Sequence, residues 1–163
     1  MKLTVLTHDK TYEGGTDKLL SYCNKNNIDL NSNEVLYLSV DRKILVSKKE
    51  IETYEIMNKL IGLKINRKIV EESFDCSDPF RWEDWEKGNE ITCGYEQLIS
   101  IIFFILLNED KKILIIDHIE QNLHIAVALH LIKTISNNFN FSNFIFTAYQ
   151  DYILEKYPIY KGE

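Results

Sequence analysis

The stretch Lys111 to His124, KKILIIDHIEQNLH, constrains this chain more than any other. Two lysines lead into four consecutive apolar residues, Ile113 to Ile116, and the run ends on an acid, Asp117. A run so short, β-branched and unalternating predicts a strand buried on both faces, the kind found at the centre of a parallel sheet. A carboxylate at the C-terminal tip of such a strand stands where open α/β sheets hold their ligands. From Leu123 onward the pattern turns helical.

The rest of the chain fits around that strand. Lys2 to Thr7 predicts a first strand, followed by the polar, glycine-containing stretch THDKTYEGGTDK. Its Gly14-Gly15 pair is a turn signal. Leu19, Leu20, Tyr22 and Cys23 then make the apolar face of a short helix. Glu34 to Val40 predicts a second strand, and Ile44 to Val46, beyond the polar break Asp41-Arg42-Lys43, a hairpin or edge strand. Helical spacing of Ile51, Tyr54, Ile56, Met57, Leu60 and Ile61 predicts a helix over Lys48 to Leu63. Lys64 to Ser73 has no clear period. Phe74 to Asn89 is acidic and aromatic, with Trp82 and Trp85 spaced as packing anchors of a short helix. Ile91 to Asn108 is apolar on every side after a turn at Gly94, which predicts a buried helix. Leu123 to Ile135 predicts a further helix. Phe144 to Phe146 predicts a third buried strand, with Thr147 to Asp151 at its tip. Strands alternating with helices imply a layered, mostly parallel α/β sheet with flanking helices.

Composition narrows the function classes. At 163 residues the chain predicts one domain, 1–163, with a core of ordinary size. A net charge of −6 argues against nucleic-acid binding by overall field. Three cysteines, Cys23, Cys76 and Cys93, without CxxC spacing point to neither a disulfide framework nor a zinc site, and fit a reducing, cytoplasmic setting. The apolar start is too short for a signal peptide, and Leu98 to Leu107 too short to span a membrane. The opening strand, glycine turn and helix have the layout of a phosphate loop. The chemistry departs from it: such a loop needs GxxxxGK followed by Ser or Thr, whereas Lys18 is followed by Leu19.

From Ile91 to Leu154 the chain resembles the C-terminal lobe of ABC-type ATPases, closest to soluble stand-alone kinds such as the ATPase domains of OLD-type nucleases, DNA-repair ATPases and related antiviral systems. Thr92-Cys93-Gly94-Tyr95-Glu96-Gln97 stands where that family has its signature motif. Ile113 to His124 stands where it has Walker B and the loop beyond, and Thr147 to Leu154 where its last core strand ends in the switch histidine. The resemblance implies a truncated P-loop NTPase fold with a degraded phosphate-loop half (1–73), a connector (74–90) and a signature and Walker B half (91–163). It implies nucleotide contacts from Lys18, Thr92, Gly94 and Gln97, and magnesium held through Asp117. It puts His118 at the catalytic acid's position. Glu120, Asn122, Leu123, His124 and Tyr149 would fall on a head-to-tail dimer surface, shared with another ATPase chain or a second copy. ATP and Mg2+ are the implied cofactors.

The departures fall on the chemistry. His118 replaces the glutamate that would orient the attacking water, Tyr149 replaces the switch histidine, and no phosphate-cradling lysine is in register. Phosphoryl transfer depends on positioning and charge neutralisation, so these three losses remove most of its apparatus. Plainer roles are open to the same residues: Asp117 capping a turn, His118, His124 and His130 satisfying backbone or packing, Glu120 complementing a helix dipole. Three functions remain in view. The first is a non-hydrolysing protein that binds or regulates a partner ATPase, in a setting such as phage defence or counter-defence. The second is a weak ATPase of a DNA-maintenance or defence system, using Lys18 and Asp117. The third is a metal-dependent nuclease piece, because Glu13-Gly14-Gly15-Thr16-Asp17 is similar to the EGxxD start of TOPRIM domains. Lys43 then stands where that family's second acid belongs.

Overall fold

The structure, a computed structural model, describes residues 1–7, 17–39, 101–102 and 104–160. Several expectations fall outside them: the glycine turn with Glu13, the segments over 44–46 and 48–63, Lys43, both tryptophans, and the signature residues Thr92, Gly94 and Gln97. The described residues belong to two compact units. One comprises 1–7, 17–39, 108–121 and 139–160; the other comprises 101–102, 104–107 and 122–138.

The first unit is a parallel sheet. Its strands are β1 (Lys2–Thr7), β2 (Val35–Leu38), β3 (Ile113–Ile116) and β4 (Asn143–Ala148). They lie side by side in the order β1-β4-β3-β2, every neighbouring pair parallel. The predicted central strand is in place: β3 lies between β2 and β4, with Leu114, Ile115 and Ile116 wholly buried. β2 is shorter than predicted. Beyond β4 the chain turns through the helix Asp151–Lys156 and returns to the free side of β1. There Ile159 forms a parallel bridge with Val5, and the Tyr160 N–H donates to the Val5 carbonyl at 2.8 Å.

The register sorts side chains between the two faces. Leu6, Ile115, Ile145 and Val35 belong to one face and pack with Leu19, Tyr22 and Cys23 of α1 (Asp17–Lys25), flanked by Ile28, Leu30, Tyr37 and Ile113. Phe144 and Phe146, out of phase with Ile145 by the pleat, belong to the other face. Their ring centroids are 5.4 Å apart, and Tyr157 meets Phe146 edge-on at 6.0 Å. Handedness accounts for this division. The step from β1 to β2 runs one way across the sheet and the return from β4 to β1 runs the other. Right-handed crossovers therefore put the connecting segments on opposite faces. Fully burying a side chain such as Leu19 stabilises the unit by about 1.5–3 kcal/mol. Leu20, expected on the apolar face of α1, is 41% exposed; the helix turns it about 100° from Leu19 and toward water.

α1 ends in a hydrogen-bonded stop. Asn27 adopts φ 54°, the Ile28 N–H donates back to the Cys23 carbonyl at 2.8 Å, and the Asn27 N–H to the Asn24 carbonyl at 3.4 Å. This is a Schellman closure with asparagine in the left-handed position, and Ile28 adds the apolar contact that usually accompanies it.

In the second unit, residues 101–102 and 104–106 are helical, with Ile101, Ile102 and Ile105 fully buried. Leu107 is exposed, so the expectation of an apolar surface buried all round does not hold at that end. The helix α2 spans Ile125–Asn138 and buries Val127, Ala128, Leu131, Ile132 and Ile135, one stripe at helical spacing. It starts two residues later than the pattern predicts because His124 caps it: Nδ1 accepts the Ala126 N–H at 3.2 Å. The short helix Asp151–Lys156 of the first unit becomes α3. Among the described residues no helix is long and apolar enough to cross a membrane.

Candidate functional site

The C-terminal rim of the sheet is built by two segments, 117–121 after β3 and 147–150 at the end of β4. Ile116 pairs with Phe146, so Asp117 and Thr147 come next to each other on the face that carries α1. The Thr147 hydroxyl donates to the Asp117 carboxylate at 2.5 Å and accepts the His118 N–H at 2.6 Å. The Asp117 N–H donates to the Leu38 carbonyl of β2 at 2.9 Å, and the Ile119 N–H to the Thr147 carbonyl at 2.9 Å. Asp117, Ile119 and Thr147 have no exposed surface. A buried carboxylate is costly unless hydrogen bonds hold it, and here a charge-assisted bond does.

Two residues on, Glu120 repeats the device at the main chain. Its Oε1 accepts the Tyr149 N–H at 2.7 Å and the Gln150 N–H at 3.0 Å. Glu120 is only 4% exposed, and no described group hydrogen-bonds to Oε2. Glu120 therefore stands at the N-terminus of the helix Asp151–Lys156, whose N-cap is Gln150, while His124 caps α2. Between the two acids, His118 sits at φ 53°, a left-handed conformation that histidine enters more readily than most residues. That turn swings its ring onto Tyr149, centroids 4.7 Å apart and planes inclined at 63°. The Gln121 N–H closes the turn on the His118 carbonyl at 2.9 Å.

Four of the sequence-predicted site residues, Asp117, His118, Glu120 and Tyr149, thus form one cluster. Lys18 is not part of that cluster. Its ammonium donates to the Thr7 hydroxyl, and it lines a groove with Leu6, Asp17, Ser21, Tyr22, Lys25 and Tyr160. None of the rim residues lines that groove. Asp17, the one described acid of the TOPRIM-like stretch, opens α1 beside Lys18. Asn122, Leu123 and His124 belong to the second unit: Asn122 adopts φ 60°, Leu123 is buried, and His124 is the cap of α2.

Magnesium would require oxygen ligands in a near-octahedral set, several of them water. Asp117 is enclosed and accepts the Thr147 hydroxyl on Oδ1, so the described residues form no direct magnesium site around it. Among the described residues no group of three or more His, Cys, Asp or Glu side chains is placed to hold a metal. Cys23 is no nucleophile either, since burial pushes its thiol up to about 11.

Thr147 is the residue that sequence reasoning passed over, naming it only as a strand tip. Its signal was parity: a hydroxyl one step beyond the apolar run of β4, as Asp117 is one step beyond that of β3. No protein-family model matches the chain. No curated protein gives a significant sequence match.

Proposed function

We propose that this chain is a non-hydrolysing protein on an ABC-type ATPase scaffold that binds and regulates a partner ATPase. The observation that carries the reading is the closure of the rim. Where the resemblance puts the magnesium acid, the water-orienting acid and the switch histidine, the chain has Asp117 bonded to Thr147, His118 turned onto Tyr149, and Glu120 holding two backbone N–H groups. Each group serves the fold. The strand order adds support. With β4 between β1 and β3, the three tips to which the resemblance assigns phosphate loop, switch residue and acid stand side by side on one edge. A scaffold that keeps this layout while using its acids internally retains a family-like surface for a partner's site and supplies no turnover of its own.

Affinity capture from the host's extract, with the captured protein identified by mass spectrometry, tests this. An ABC-type ATPase is expected, and adding the purified chain should change that enzyme's rate of phosphate release. Recovery of no such ATPase, or magnesium-dependent ATP turnover by the isolated chain that Asp117→Asn abolishes, sinks the reading.

A further inference from the structure

The groove beside α1 adjoins the rim, since Leu6 pairs with Thr147 and Thr7 with Ala148, but no rim residue lines it, and its reading does not depend on the one above. It is lined by Leu6 and Thr7 at the end of β1, by Asp17, Lys18, Ser21, Tyr22 and Lys25 of α1, and by Tyr160. Its volume is about 520 Å³, within the range of sites that enclose a small molecule. Lys18, Ser21 and Lys25 recur at helical spacing, so one side of α1 presents an ammonium, a hydroxyl and a second ammonium over about 10 Å. Tyr22 and Tyr160 supply the aromatic part, their rings edge to face at 4.9 Å.

The two rings are held differently. Tyr22 is buried, and its hydroxyl reaches Thr4 Oγ1 at 3.4 Å. Tyr160 keeps 41% of its surface exposed while its backbone is fastened to Val5. A ring on a fixed backbone, over an aliphatic floor, offers an apolar face at little ordering cost. Among the described lining residues, two ammoniums, Lys18 and Lys25, stand beside one carboxylate, Asp17. We infer that this groove binds a small aromatic anion: a planar ring against Tyr160 and Leu6, bearing a phosphate or carboxylate that Lys18, Ser21 and Lys25 receive. The shared chemistry is ring plus anion, and each part has its own lining residues.

The test is a backbone-amide NMR titration of the full chain with three probes: phenyl phosphate, benzoate and inorganic phosphate. Saturable millimolar shifts at Leu6, Thr7, Ser21, Tyr22 and Tyr160 are expected with one or both aromatic anions, and the stronger of the two identifies the acid. Inorganic phosphate should bind at least tenfold more weakly. Lys18→Gln and Lys25→Gln should each weaken the aromatic anion by roughly tenfold, a charged hydrogen bond's worth. Tyr160→Ser should weaken it without altering binding of inorganic phosphate. All three side chains are exposed, and unchanged thermal midpoints will show that the variants fold. No saturable shift with either aromatic anion, or inorganic phosphate binding as well as both, overturns the inference. The partner-capture result reports on the other reading alone.

Discussion

The rim and the groove carry similar inventories and use them in opposite ways. Both hold acidic, hydroxyl and aromatic side chains at the end of a parallel sheet. At the rim, Asp117 and Glu120 are turned inward onto Thr147 and onto the amides of Tyr149 and Gln150. In the groove, Lys18, Ser21, Lys25 and Tyr160 are exposed around open space. A carboxylate that accepts hydrogen bonds from the fold contributes to its stability, wherever on the sheet it stands. An exposed charge beside an aromatic ring is what a ligand can meet.

The largest expected effect breaks or confirms that contrast at Asp117. Asp117→Ala strands the Thr147 hydroxyl in a buried site and leaves a cavity. The expected cost is about 3 kcal/mol, read as a lower midpoint in urea unfolding. A metal-site acid would behave otherwise: its removal relieves like-charge repulsion in the metal-free protein and leaves stability unchanged or raised. Glu120→Gln is the finer companion. The amide oxygen still accepts the Tyr149 and Gln150 N–H groups, so the cost should be only about 1 kcal/mol, against roughly 2–3 kcal/mol for Glu120→Ala. If the Gln and Ala variants lose the same amount, the two backbone bonds contribute little and the rim is looser than described.

The same contrast explains which features were legible in the sequence. β1 and β3 match their predicted bounds because each is a local apolar run, and Asp117 was visible as the acid that ends one. The parallel character of the sheet followed from the alternation of strands and helices. Bonds between Asp117 and Thr147, or between Glu120 and the tip of β4, join positions about thirty residues apart, and periodicity within a window carries no such information. The groove was invisible for a similar reason. Lys18 and Lys25 share a helix face that can be counted, but Tyr160 arrives from the far end of the chain. α2 starts at Ile125 and not at Leu123 because His124 caps it, and histidine is an uncommon cap that gives no start signal in the sequence.

A smaller effect is expected at the packed end of α1. The Cys23 thiol, ordinarily ionising at 9.0, is pushed up to about 11 by burial. The folded state therefore resists losing the proton, while the unfolded chain releases it near 9. Stability contributed by the neutral thiol is fully present below pH 9 and declines as pH rises from 9 toward 11, by roughly 2–3 kcal/mol in total. Tyr157, also raised by burial against the opposing charge of Lys156, acts in the same direction at higher pH. Unfolding midpoints measured across pH 8 to 11 should fall, and Cys23→Ala should flatten the first part of the slope. An unchanged slope in that variant would mean that the thiol is hydrated and the α1 face less tightly packed than the rim.

The smallest effect lies in the second unit and sharpens the comparison by extending it to a histidine. His124 is exposed, as the groove lysines are, yet its Nδ1 is committed to the Ala126 N–H, as the rim acids are to theirs. If commitment to the backbone rather than exposure decides a residue's role, His124→Ala should cost about 1 kcal/mol through loss of the cap. His124→Asn should be neutral or slightly stabilising, because asparagine is the better cap. Amide exchange at Ala126 to Ala128 reads the cap directly: faster in His124→Ala than in wild type, and no faster in His124→Asn. Equal protection in wild type and His124→Ala would return His124 to the exposed class and leave its ring available to a partner.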